Sequence, residues 1–226
     1  MSDPGFRRIG EREVHQGHVW RVVVAEFEAP DGARFDRDIV RSPGAVGVVP
    51  LIFDAEGNPS VLLVEQYRPP YERTVIEIPA GMRDVAGEAP ERTAQRELIE
   101  EAGMRAGRLD HLADILPSPG LTDSVTLIYL ATECTPDVRD LHGPEEQHMT
   151  LLHLPLVDAL AMIDGGEITD AKTVVGLLAT QRRLDRADHT VSGTVSGTVS
   201  GVVSGKVPGG VPGGVPGAIG QSASGT

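Results

Sequence analysis

Residues 81–104, GMRDVAGEAPERTAQRELIEEAGM, decide how the rest of the chain is interpreted. Three acids, Glu97, Glu100 and Glu101, fall within five residues. In a helix, a step of about 100° per residue gathers them on one arc. Ala94, Leu98, Ala102 and Ile99 occupy an adjoining apolar arc suited to packing on a sheet. Pro90 fits the first helical position, because its missing N–H would go unpaired there. Gly103 fits the residue just past the end, where left-handed backbone carries no steric penalty.

Like charges one turn apart repel by a few tenths of a kcal/mol, so the crowding needs a cause. A solvated acidic face is one explanation. The other is a hard divalent cation, Mg²⁺ or Mn²⁺, which takes oxygen ligands and offsets the repulsion. Arg96, four residues before Glu100, would then orient the carboxylates from behind. Acidity alone does not choose between the two, but the spacing does. Residues 96–104, RELIEEAGM, follow the pattern R-E-U-x-E-E-x-G-U, where U is apolar, and seven residues separate Glu88 from Arg96. This resembles the Nudix box. One departure is visible: six residues lie between Gly81 and Glu88, where the family usually has five. The added residue should be absorbed in the loop before the helix, leaving the helical acids in register.

The chain has 226 residues, 40% of them hydrophobic, which suits one globular domain with an appendage. A net charge of −13 argues against a nucleic-acid phosphate track. The lone Cys134 excludes an intramolecular disulfide, fits a reducing compartment and reads as a core residue rather than a nucleophile. No leader is expected, since Arg7, Arg8, Glu11, Arg12 and Glu13 interrupt the first thirty residues. The longest apolar run, Ala45–Phe53, is too short to span a bilayer. A cytoplasmic protein without membrane or nucleic-acid partners is the expectation.

Strands are expected at Val19–Ala29, Arg34–Arg41, Ala45–Phe53, Ser60–Tyr67, Thr74–Ile78, His111–Leu116, Ser124–Thr132 and Met149–Leu154. Helices are expected at Leu156–Asp164 and Thr169–Asp185, and residues 135–148 read as a polar loop. Trp20 reads as a core anchor, with stacking on an aromatic ligand as the alternative. From about Thr190, VSG units give way to VPGG repeats with Lys206 the only charge, a composition with little to bury. The expected organisation is an N-terminal antiparallel strand unit (1–42), a catalytic domain (43–189) and a low-complexity disordered tail (190–226). The fold class is α+β, a mixed sheet sandwiched between helices, as in the Nudix fold.

Three further motifs sharpen the resemblance: Gln66-Tyr67-Arg68, Glu77-Ile78-Pro79-Ala80-Gly81 and Ser118-Pro119-Gly120. Together they look like the ADP-ribose pyrophosphatase branch, with Pro119 fifteen residues beyond Met104. That resemblance implies hydrolysis of ADP-ribose, and other ADP-sugars, to AMP and the sugar phosphate with two or three Mg²⁺ or Mn²⁺ ions. It assigns metal ligation to Glu97, Glu101, Glu100 and the Ala80 carbonyl. It places the general base at Glu146, with Glu145 second. Arg37, Arg68, Met82, Asp123 and Trp20 match substrate contacts, and relatives are homodimers that exchange N-terminal strands. Two alternatives stand beside it. One is a hydrolase of another nucleotide sugar or dinucleotide; the other is a nucleotide sensor that does not cleave, though sensors generally lose the box acids.

Overall fold

A computed structural model describes residues 5–193, and the tail beyond, with residues 1–4, lies outside it. Alternation on the central strands sets the architecture. On β4 (Ala45–Phe53), Val46 and Val48 face one way, while Val49 and Leu51 face the other. On β10 (Thr126–Thr132), Tyr129 and Ala131 join the first set, and Ile128 and Leu130 the second. Both faces are buried, which is why these strands read as near-continuous apolar runs. β4 and β10 pair in parallel at the centre of a seven-stranded mixed sheet.

The sheet runs outward from that pair in the order β12 (Thr150–Pro155), β5 (Pro59–Arg68), β4, β10, β9 (Arg108–Ile115). β6 (Arg73–Glu77) adds to β5, and β7 (Ala80–Met82) adds to β4. One face is covered by α1 (Pro90–Ala102), whose Ala94, Leu98 and Ala102 pack on Val46, Val48 and Tyr129. The other is covered by α3 (Leu156–Asp164) and α4 (Ala171–Gly193), through Leu156, Ala159 and Leu177. Truncating the fully buried Leu98 to Ala would cost about 2–5 kcal/mol. The sandwich expected from sequence is the one found.

A separate three-stranded antiparallel sheet joins β1 (Arg7–Gln16), β2 (Arg21–Glu28) and β3 (Arg34–Arg41). It docks on the 118–123 loop: the Val40 N–H donates to the Leu121 carbonyl at 2.9 Å, and Thr122 Oγ1 donates to the Val40 carbonyl at 2.8 Å. β1 was not expected, because all ten of its residues are exposed and carry no apolar alternation. Its ladder with β2 and the Arg7–Glu28 pair hold it instead.

Three other expectations need correction. Trp20 is no core anchor: it is 56% exposed, in the turn between β1 and β2, where its carbonyl accepts from the Gly17 N–H. Ile99 is half-buried and lines a groove with Glu88, Arg92 and Arg96 instead of the sheet. Segment 135–148 is not all loop, since it holds β11 (Thr135–Pro136), paired with β8 (Met104–Arg105), and the short α2 (Gly143–Gln147). Cys134 is partly buried against the α1-side core, and burial pushes its thiol up to about 11. Among the described residues, no helix is long and apolar enough to cross a membrane.

Candidate active site

Helix α1 starts at Pro90 and ends at Gly103, whose φ of 63° is left-handed, as the sequence leads one to expect. The added loop residue is absorbed before it, in a turn where the Glu88 N–H donates to the Val85 carbonyl at 3.1 Å. The acids therefore stay in helical register. They do not form a solvated face: Glu97 is 8% exposed and Glu101 5%. Both are driven against the backbone of β7.

The approach is close. The Ala80 N–H donates to Glu101 Oε2 at 2.8 Å, which sets that carboxylate beside the Ala80 peptide. A Cβ on Gly81 would lie 2.0 Å from Cδ of Glu97, so only glycine leaves room for the Glu97 carboxylate. Behind them, Arg96 acts as a hub. Its Nη1 donates to Glu97 Oε1 at 2.7 Å and to Glu100 Oε2 at 3.0 Å, and its Nη2 reaches Glu88 Oε2 at 3.3 Å. Thr93 Oγ1 also donates to Glu88, at 2.9 Å.

Electrostatics separates these acids from ordinary surface carboxylates. Burial pushes Glu97 up to about 7; Arg96 opposes the shift, while Glu100 and Glu146 add to it. Burial likewise pushes Glu101 up to about 8, against the Ala80 N–H bond and with repulsion from Glu97 and Glu146. Glu101 makes no ion pair among the described residues. A buried carboxylate without a cation is costly unless something positive joins it.

A divalent ion answers that need. No three carboxylate, imidazole or thiol groups among the described residues converge to close a metal shell unaided. The two buried carboxylates beside the Ala80 peptide supply part of a hard oxygen donor set, the kind that a divalent ion completes with waters and phosphate oxygens. The residues present fit such an ion.

Glu146, on α2, is half-buried, and its Oε2 accepts from the His142 N–H at 2.6 Å. Its influence on Glu97 and Glu101 ties it to the carboxylate pair. The side chain of Glu145 lies outside the described residues. Arg68, at the end of β5, forms a two-pronged pair with Glu77, Nε to Oε1 at 2.6 Å and Nη2 to Oε2 at 2.7 Å. It also draws Glu101 down, so it belongs to the same neighbourhood. Met82 is half-buried at the end of β7, opposite Ala45.

The remaining candidates sit apart. Arg37 lies over the Phe35 ring at 4.6 Å, in a cleft of about 410 Å³ lined by Phe27, Phe35, Leu121 and Asp123. Asp123 is engaged with the N-terminal sheet: Oδ2 accepts from Arg41 Nη1 at 3.0 Å and Oδ1 from the Ser42 N–H at 3.1 Å. A second cleft, of about 710 Å³, shares Arg41 and Asp123 and continues past Arg21 and Arg83. Glu97 and Glu101 line neither cleft. Sequence reasoning gave no role to Glu77, Lys172 or Arg41; Glu77 stood inside a quoted motif, while Lys172 carried no local signal.

Comparison with known proteins bears on the family. The NUDIX domain family matches residues 41–174. The chain is 36% identical over 171 residues to the ADP-ribose pyrophosphatase of Bacillus subtilis, covering 76% of this chain and 90% of that one. It is 35% identical over 183 residues to the ADP-ribose pyrophosphatase of Mycobacterium tuberculosis, covering 79% and 84%. Among solved structures, one described as an ADP compounds hydrolase superposes with a TM-score of 0.69 at 22% identity, covering 83% of this chain and 98% of that one. That last likeness concerns the fold.

Proposed function

The chain belongs to the Nudix family, and from that premise we propose that it hydrolyses the diphosphate bond of ADP-ribose to AMP and ribose 5-phosphate. The observation that carries the hydrolytic part is the pair Glu97 and Glu101, buried against β7, with Glu101 in no ion pair among the described residues. The choice of ADP-ribose is supported by the activities named for the two relatives and by the Arg68, Ala80 and Pro119 motifs.

In this proposal Glu97, Glu101 and the Ala80 carbonyl would hold the metal, and Glu100, tied to Glu97 through Arg96, would share an ion. Two or three Mg²⁺ or Mn²⁺ ions would supply charge neutralisation on the diphosphate and acidify the attacking water. Glu146 would take the proton of the attacking water, with Glu145 as the substitute. Arg68 presents its remaining N–H edge to a phosphate oxygen. Arg37, Met82 and Asp123 contact the nucleoside or the sugar, and the exposed Trp20 stacks on adenine across a subunit boundary.

The working assembly is a homodimer built through the N-terminal unit, 1–42, whose Phe6, Val14 and Trp20 are more than half exposed. The catalytic unit is 43–189, and the segment 190–226 lies almost entirely outside the described residues. A reducing, cytoplasmic setting suits the single Cys134, and the net charge of −13 argues against a nucleic-acid partner. The test is AMP release from a panel of ADP-sugars, other nucleotide sugars and dinucleotides, with and without Mg²⁺. Fastest Mg²⁺-dependent release from ADP-ribose is expected. Preference for another compound would move the substrate, and tight binding without turnover would make the protein a sensor.

A further inference from the structure

Glu77 ends β6, three residues before Ala80, and is 2% exposed. Arg68 binds both oxygens of its carboxylate, and Lys172 Nζ, 95 residues away in the chain, donates to Oε2 as well. Lys172 is held in turn by Asp170 Oδ2 at 3.0 Å. Asp170 Oδ2 also accepts from the Thr173 N–H at 3.0 Å and from Thr173 Oγ1 at 2.6 Å, which caps the start of α4. Thr173 Oγ1 accepts from the Ile78 N–H at 2.8 Å. The first turn of α4 therefore grips both the Glu77 side chain and the backbone that leads to Ala80.

The grip is firmly seated. A Cβ on Gly176 would lie 2.9 Å from Val49 Cγ2 and 3.3 Å from Ile78 Cδ1, so the glycine lets α4 sit tight on β4 and β6. The four charges balance: Glu77 and Asp170 against Arg68 and Lys172. Arg68 spends Nε and Nη2 on Glu77, and its Nη1 makes no hydrogen bond among the described residues. One donor edge is thus left over on a side chain 37% exposed.

We propose that Lys172 is a positioning residue for the reaction, fixing Glu77 so that Arg68 keeps its free edge turned to the diphosphate. The inference rests on the substrate role proposed for Arg68. A buried carboxylate with one cation draws that cation wholly onto itself, because nothing else offsets its burial. With Lys172 sharing Oε2 with Arg68 Nη2, the Glu77 charge is divided between two cations, and Arg68 is held through Nε and Nη2 alone. Arg68 is then a preorganised ligand for phosphate instead of a closed ion pair.

The test is steady-state ADP-ribose hydrolysis at saturating Mg²⁺, with thermal denaturation alongside, for Lys172→Met, Lys172→Arg, Arg68→Met and the Arg68→Met/Lys172→Met double variant. Lys172→Met is expected to raise KM about tenfold with kcat changed less than about threefold, the signature of lost ground-state and transition-state binding together. Lys172→Arg should recover most of the affinity. In the Arg68→Met background, Lys172→Met should have no further effect on KM, since both act through one contact. An unchanged KM in Lys172→Met, failure of Lys172→Arg to restore it, or effects that multiply in the double variant would overturn the inference. A wild-type KM in Arg68→Met would instead overturn the substrate role of Arg68. If Lys172→Met does not fold, Lys172→Gln keeps a hydrogen-bond donor toward Glu77 without the charge; a KM raised about tenfold supports the inference and a wild-type KM overturns it.

Discussion

Two glutamates lie on neighbouring elements, equally hidden from water, and behave in opposite ways. Glu77 is 2% exposed and Glu101 5%. Burial pushes Glu77 up, but the Arg68 fork and the Lys172 ammonium outweigh it and hold its carboxyl below the ordinary value. Glu101 makes no ion pair among the described residues; the Ala80 N–H and the Arg68 charge oppose burial less than they would need to, and repulsion from Glu97 and Glu146 compounds the shift to about 8. What differs is the company each keeps. A buried acid whose charge is matched by side chains is a girder; one whose charge is left unmatched is a socket for a cation.

Neutralising each acid separates the two roles. Glu101→Gln should lower kcat at least ~100-fold while leaving the fold intact by circular dichroism, because it removes a charge the metal-free fold does not need. Glu77→Gln should do the reverse to stability. It strands Lys172 and half of the Arg68 fork, at a cost of about 2 kcal/mol in urea unfolding, reduced by the partial exposure of Arg68. Equal stability loss in both variants would erase the distinction.

A smaller effect is expected at Glu146→Gln: kcat down ~10-fold or more, with KM for ADP-ribose nearly unaltered, measured by initial rates. Wild-type turnover would pass the base to Glu145. The pH dependence of metal-free stability splits along the same line. Glu97 and Glu101 are raised from 4.5 to about 7 and about 8, so the folded state binds protons that the unfolded state has released. Their contribution is full below pH 4.5 and is lost as pH rises through about 7 and 8. Glu77 is lowered, so its contribution is present above 4.5 and is lost as pH falls below it. Melting temperatures from pH 3 to 9 should therefore lose their alkaline slope in Glu97→Gln/Glu101→Gln, and part of their acid slope in Glu77→Gln. The smallest effect is at Trp20→Ala, where exposure limits the stability change to about 0.5 kcal/mol. A raised KM there, or a shift in sedimentation, would locate its role at the substrate or the subunit boundary.

The same contrast governs what could be read from the chain. Helix α1 was legible because its signals are local: Pro90, the Ala94–Leu98–Ala102 stripe and Gly103 sit within a few turns. The bounds of β4 and α3 were legible for the same reason, each being a short apolar run with turn residues beside it. The closeness of Glu97 and Glu101 followed, since both lie within one helix. The girder did not, because Lys172 reaches Glu77 across 95 residues and nothing near Lys172 announces it. β1 escaped because backbone pairing and ion pairs hold it, not an apolar face. Trp20 misled because its size favours burial, while its place in a hairpin turn leaves more than half of it exposed. A helix as short as α2 has too few turns to show a period.

The account turns on Glu97 and Glu101 trading protons for a divalent ion. Calorimetric titration of Mg²⁺ into the metal-free protein at pH 7, in two buffers of different ionisation enthalpy, counts the protons released on binding. Wild type should bind Mg²⁺ with net proton release, and Glu97→Gln/Glu101→Gln should lose both the binding and the release. Mg²⁺ binding with no proton release, or equal binding in the double variant, would contradict it.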